Sequence, residues 1–140
     1  MANDNKYEFL EHTGDAKYKA YGSSIEERFA NAAQAMFSLI IDRGDIKPAE
    51  KKEIEVSGTD LKQLLYNWLE ELLFLLDADS FFFREVESIN IEEKGRLHVL
   101  KATIVGDTFK EDYLVFGSVK AVTYAEMEIN PDHVQVVVDI

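Results

Sequence analysis

Asp15 and Asp139 are the two acidic residues whose chemistry depends most on whether the fold brings them together. Asp15 ends the turn Glu11-His12-Thr13-Gly14-Asp15 near the front of the chain, and Asp139 stands in the closing Val138-Asp139-Ile140. Val134, Val136 and Val138 alternate along that last stretch, which predicts a strand with Asp139 on the opposite face beside Gln135 and Val137. An ordered strand would fix both the Asp139 side chain and the main-chain carboxylate or carbonyl of Ile140. Two carboxylates and a main-chain oxygen make a hard, all-oxygen cation site, suited to Ca²⁺, Mg²⁺ or Mn²⁺ over softer transition metals. The plainer alternative is that Asp15 caps its turn and Asp139 is solvated. Periodicity alone leaves both readings open.

Three further side chains belong to the same question. His12 shares the turn of Asp15, and a single histidine near a strand end most often serves as a hydrogen-bond partner. Lys120 falls on the face opposite Val119 and Ala121, in company with Val122, Tyr124 and Glu126. The alternative for Lys120 is a surface lysine paired with Glu126. His98 and His133 stand alone and receive no role. No nucleophile elbow, phosphate-binding loop, zinc spacing or dinucleotide fingerprint is present. There is no cysteine, which excludes disulfides, thiolate metal sites and thiol catalysis.

The elements that must position these residues follow from periodicity. Leu61, Leu64, Leu65, Trp68, Leu69, Leu72, Leu73 and Leu76 recur at the spacing of one helix face, predicting a helix over 60–77. Asp60 and Gln63 supply a capping box for it, with Gln63 reaching back to the Asp60 amide. Lys62, Gln63, Asn67, Glu70 and Glu71 are expected on its outer side. An earlier helix from Ser24, capped with Glu27, to about Ile41 carries Ile25, Phe29, Ala32, Ala33, Met36, Phe37 and Ile40 as its stripe. Strands are predicted over 6–10, 16–21, 53–56, 81–92, 97–105, 119–129 and 133–140, with Asp42 to Ala49 and Gly106 to Gly117 as loops. Val86 and Ile89/Ile91 lie on opposite parities, which a bulge near Glu87–Ser88 reconciles. A hairpin turn falls at Gly95. Trp68 and Phe81-Phe82-Phe83 are expected in the core. The order β-β-α-β-α-β-β-β-β favours an α+β fold, two helices packed on a mainly antiparallel sheet.

The 140 residues predict one domain over 1–140, and 46% hydrophobic content is that of a globular protein. Twenty-seven acidic side chains against fifteen basic ones give a net charge of −12. Nucleic-acid backbones are held by clustered Lys and Arg, whereas Lys47, Lys51 and Lys52 are interleaved with Glu50 and Glu53, so direct, tight nucleic-acid binding is not expected. An acidic surface suits a cation or a basic protein partner, or simply solubility. Charges within the apolar run of the second helix exclude a membrane span. The opening MANDNKYEF lacks the pattern of a signal peptide, and a cytoplasmic location is expected.

Several strings are together more specific than any one. Tyr7-Glu8-Phe9-Leu10-Glu11-His12-Thr13-Gly14-Asp15, Ala20-Tyr21-Gly22, Asn31-Ala32-Ala33 with Ala35-Met36-Phe37, the run 64–74, Val119-Lys120-Ala121-Val122-Thr123-Tyr124 and Val138-Asp139-Ile140 resemble the archease family, in order from Tyr7 to the last residue. The resemblance implies a protein that is not itself an enzyme but a cofactor for RNA ligation. Archeases assist the RtcB-type tRNA-splicing ligase, which joins 3′-phosphate or 2′,3′-cyclic-phosphate ends to a 5′-hydroxyl. They promote guanylylation of the ligase's active-site histidine by GTP, restore turnover and broaden the nucleotides accepted. The family's metal site falls on Asp15, Asp139 and Ile140, the last through main-chain oxygen, and its functional lysine on Lys120. His12 and Glu126 stand beside Lys120 as candidate functional residues. Two departures stand out: Ala125 follows Val-Thr-Tyr where many members have His, and Gly14 occupies a turn position where Ala is common. A role as a chaperone-like modulator of RNA-modifying enzymes such as tRNA methyltransferases has also been attached to the family. A metal hydrolase has little support, because no second base or nucleophile accompanies the carboxylates.

Overall fold

The computed structural model describes residues 6–140, so most of the stretch read for a leader, residues 1–5, lies outside the described residues. Two helices are combined with two antiparallel sheets. The strands are β1 (Tyr7–Leu10), β2 (Asp15–Tyr21), β3 (Glu50–Gly58), β4 (Phe81–Lys94), β5 (Leu97–Thr108), β6 (Ala121–Val122), β7 (Glu128–Ile129) and β8 (His133–Asp139). The helices are α1 (Ile25–Ser38) and α2 (Leu61–Asp79). One sheet runs β1-β2-β8-β6, with β7 also paired to β8; the other runs β3-β5-β4. The α+β expectation is met, with the strands divided between two sheets where one was expected.

The apolar periodicity of α2 does what its spacing requires. Leu64, Leu65, Trp68 and Leu69 are fully buried, and Leu72 nearly so. Cutting Leu69 or Leu72 to Ala costs about 2–5 kcal/mol, a large share of an ordinary domain's stability. The Trp68 indole donates to the Phe29 carbonyl of α1 at 3.0 Å, and Phe81, Phe82 and Phe83 are all in the core. Helix α1 packs on β2 and β8 on one side and on β4 on the other. Its buried surface therefore spreads beyond the apolar stripe to Arg28, Asn31 and Gln34. Both capping boxes form with a shifted return arm. Ser24 Oγ accepts from the Glu27 amide, and Glu27 Oε1 accepts from the Ser23 amide. Asp60 likewise caps the Gln63 amide, while Gln63 Oε1 accepts from the Thr59 amide in place of that of Asp60.

Several boundaries differ from expectation for identifiable reasons. Helix α1 stops at Ser38, three residues early, and the Leu39 amide turns back to Met36 and Phe37 as Ile41 leaves to bridge Val115. A short 3-10 turn, Arg43–Asp45, interrupts the expected 42–49 loop. Strand β3 begins at Glu50, and its opening Glu50-Lys51-Lys52-Glu53 marks a charged sheet edge. The bulge near Glu87–Ser88 is present as a register shift between Val86 and Ser88, with a second between Phe83 and Glu85. The largest correction is at 119–129. That stretch is not one alternating strand. It pairs with β8 twice, as β6 and as β7, and between them Met127 turns back onto the Tyr124 carbonyl while Glu126 adopts φ 51°.

Candidate functional site

The register of the first sheet brings the front turn and the tail together. Strand β2 pairs antiparallel with β8, and Asp15 stands directly opposite Asp139. Directly opposed residues project to one face with Cβ atoms about 4.5–5.5 Å apart, and like charges in that position repel. Strand β6 lies on the other edge of β8, where Ala121 pairs with Asp139 and the Lys120 amide donates to the Asp139 carbonyl at 2.7 Å. Asp139 is thus gripped on both sides by backbone, and its side chain is half-buried. Ile140 follows, 47% exposed.

The turn that presents Asp15 is shaped by Gly14 at φ 81°, a conformation that strains other residues. An alanine there would meet no steric obstacle but would have to bear that φ. This gives the Gly14 departure a backbone reason. His12 is locked in the turn by Glu126, whose Oε2 lies 3.0 Å from Nε2. The second oxygen of Glu126, Oε1, accepts from the Lys17 ammonium at 2.9 Å. Held by the Lys17 hydrogen bond first and by His12 second, the Glu126 carboxyl is kept below the usual carboxylate range. The Glu126 carbonyl accepts from the buried Gln135 amide at 2.8 Å. One side chain therefore clamps residues on both sides of Asp15. His12 Nδ1 faces the Asp15 carboxylate at 3.8 Å, shielded from solvent and with no hydrogen-bond partner.

The expected site residues are thus partly assembled. Asp15, Asp139 and His12 converge, Glu126 joins through His12, and Ile140 continues from Asp139. Lys120 does not pair with Glu126, because the break after β6 carries Glu126 across to Lys17 and His12. The Lys120 side chain is exposed, and among the described residues it makes no ion pair. Tyr124 stacks on Tyr66 of α2, ring centroids 4.4 Å apart, beside Ala125. Three contributors went unassigned in the sequence. Lys17 sits two residues past Asp15 and therefore shares its strand face, a signal that was available. Gln135 shares the parity of Asp139. Glu70, on the helix side expected to face water or a partner, accepts from the Val122 amide at 2.9 Å and ties β6 to α2.

Among the described residues, no group of three or more His, Asp or Glu side chains converges tightly enough to hold a metal by itself. The donor chemistry nonetheless fits a hard cation. Two opposed carboxylates supply the charge, and Ile140 has main-chain oxygen to add as a third protein donor. No helix of the described residues is long and apolar enough to cross a membrane.

The chain is similar to known proteins along its length. A family model described as "Archease protein family (MTH1598/TM1083)" matches residues 7–140. A protein archease of Methanosarcina barkeri is 42% identical over 146 residues, covering all of both chains. Another from Methanothermobacter thermautotrophicus is 40% identical over 123 residues, covering 88% of this chain and 87% of that one. The solution structure of Methanobacterium thermoautotrophicum protein 1598 superposes with a TM-score of 0.82 at 34% identity, covering 96% of this chain and 99% of that one. The chain belongs to the archease family.

Proposed function

We propose that this protein is a non-enzymatic cofactor of an RtcB-type RNA ligase, promoting guanylylation of the ligase by GTP and so restoring multiple turnover and widening its nucleotide use. The observation that carries the reading is the direct pairing of Asp15 with Asp139. Two carboxylates opposed across a ladder are unfavourable unless a positive group lies between or beside them. Asp15, Asp139 and the Ile140 main-chain oxygen would hold a divalent cation, Ca²⁺, Mg²⁺ or Mn²⁺ by donor type. Such an ion, when bound, offsets phosphate charge and orients an attacking group. The chain's own part is positional. Glu126, through His12 and Lys17, fixes the turn that aims Asp15, and β6 fixes the main chain of Asp139. Lys120, one residue from the Ala121–Asp139 pair, offers to a phosphate of the partner's nucleotide an ammonium that makes no ion pair among the described residues.

The net charge of −12 favours a protein partner over direct RNA binding. The test is a ligation time course with the cognate ligase at substoichiometric concentration. Many turnovers are expected only when this protein is present. A single turnover with and without it would refute the reading.

A further inference from the structure

Residues 109–117, between β5 and β6, carry a large apolar surface that the carboxylate site does not use. Leu114 is 76% exposed, Phe116 67%, and Val115 and Phe109 nearly half. Large apolar side chains gathered in one short segment mark a contact surface more often than chance exposure. The segment is also held in a fixed shape. The buried Tyr113 hydroxyl donates to Asp107 and accepts from the Lys47 amide, while Phe109 and Tyr113 pack against Phe82. The amides of Phe116 and Gly117 both bond the Ile40 carbonyl, and Val115 bridges Ile41. At Gly117 a Cβ would lie 2.2 Å from the Leu39 carbonyl oxygen, so only glycine allows the segment to approach α1 this closely. A shallow cleft of about 320 Å³, lined by Tyr7, Ile41, Asp42 and Arg43, opens beside Phe116.

We propose that Leu114 and Phe116 are the anchors by which this protein docks on a partner protein that presents an apolar pocket rimmed by Lys and Arg. Charge selects that occupant. Exposed Glu111 and Asp112 lie within the segment, and exposed Asp42 and Asp45 lie beside its Ile41–Val115 bridge. Lys110 is drawn to Asp107 and Arg43 to the Arg84 carbonyl. A second copy of this chain would set those carboxylates, and a net charge of −12, against their like. The surface is also continuous with the carboxylate site. Lys120 lies four positions beyond Phe116, a span of at most about 14 Å, and the Lys120 amide bonds Asp139. Resting on the proposed function, the partner is the ligase: the anchors hold it while the site at Asp15 and Asp139 acts on it.

The experiment measures binding of the labelled protein to the cognate RtcB-type ligase by fluorescence anisotropy at several salt concentrations. Wild type is compared with Leu114→Ser/Phe116→Ser and with Leu97→Ser, which removes an exposed apolar side chain of the other sheet. All three serines replace exposed side chains, so thermal unfolding of both variants should match wild type. The double variant is expected to bind at least about tenfold more weakly, Leu97→Ser to bind as wild type, and wild-type binding to weaken as salt rises. Equal weakening by Leu97→Ser would overturn the assignment of the contact to this segment. Equal binding by the double variant overturns the docking surface and leaves the ligase reading standing. A wild type that does not bind the ligase overturns both. A wild-type dimer in sedimentation that the double variant dissolves would assign the surface to self-association and overturn the proposal.

Discussion

Glu126 is an exposed glutamate in the left-handed region, yet both its carboxylate oxygens are committed, one to Lys17 and one to His12. Its sequence neighbours give no hint of this, because the partners lie more than a hundred positions away and the alternation of 119–129 runs smoothly through it. Lys17 was open to inference from its parity with Asp15; the clamp on it was not. Asp107 shows the same economy at the foot of the apolar segment. It is 1% exposed, and the Tyr113 hydroxyl bonded to it, aided by Lys110, holds its carboxyl below the usual range. A carboxyl lowered by folding stabilises the fold fully above the ordinary carboxylate range of about 4, and that contribution disappears as pH falls through the lowered value. Asp107→Asn is therefore expected to lower the unfolding temperature at pH 7, with the gap to wild type narrowing as acid protonates the Asp107 carboxyl. A gap that stayed constant on acidification would remove the ionised Asp107–Tyr113 contact as its cause.

Among the elements, α2 was the most legible, since eight apolar residues at helical spacing leave little choice of structure or facing. The capping positions were also readable, although the return arms of Glu27 and Gln63 reach the residue before the cap. The hidden part is how α2 serves the site. Glu70 lies on what reads as a polar face, but its carboxylate receives the Val122 amide and fastens the two-residue strand β6. A hydrogen bond to a charged group contributes about 1.5–3 kcal/mol. Glu70→Ala is expected to speed hydrogen exchange at the Val122 amide by tenfold or more, about 1.4 kcal/mol of local opening, while amides in the centre of α2 change far less. Unchanged exchange at Val122 would mean that pairing with β8 alone holds β6.

For the whole molecule, the decisive fact is a register. The α+β class was legible from the order of elements. The pairing of β2 with β8 was not, because residues at positions 15 and 139 meet only through long-range sheet formation that no local pattern encodes. That pairing sets two acidic residues from opposite ends of the chain side by side, with β6 on the far edge of β8 following Lys120. The division of the strands into two sheets, with α1 covered on both sides, sets this edge apart from the charged β3-β5-β4 sheet. The most direct measurement of the account is single-turnover guanylylation of the cognate ligase by GTP with wild type and with Asp139→Ala. Wild type should accelerate the reaction, and the variant, folded and still bound to the ligase, should lose most of that acceleration. Equal acceleration by the two proteins would contradict a role for the paired carboxylates.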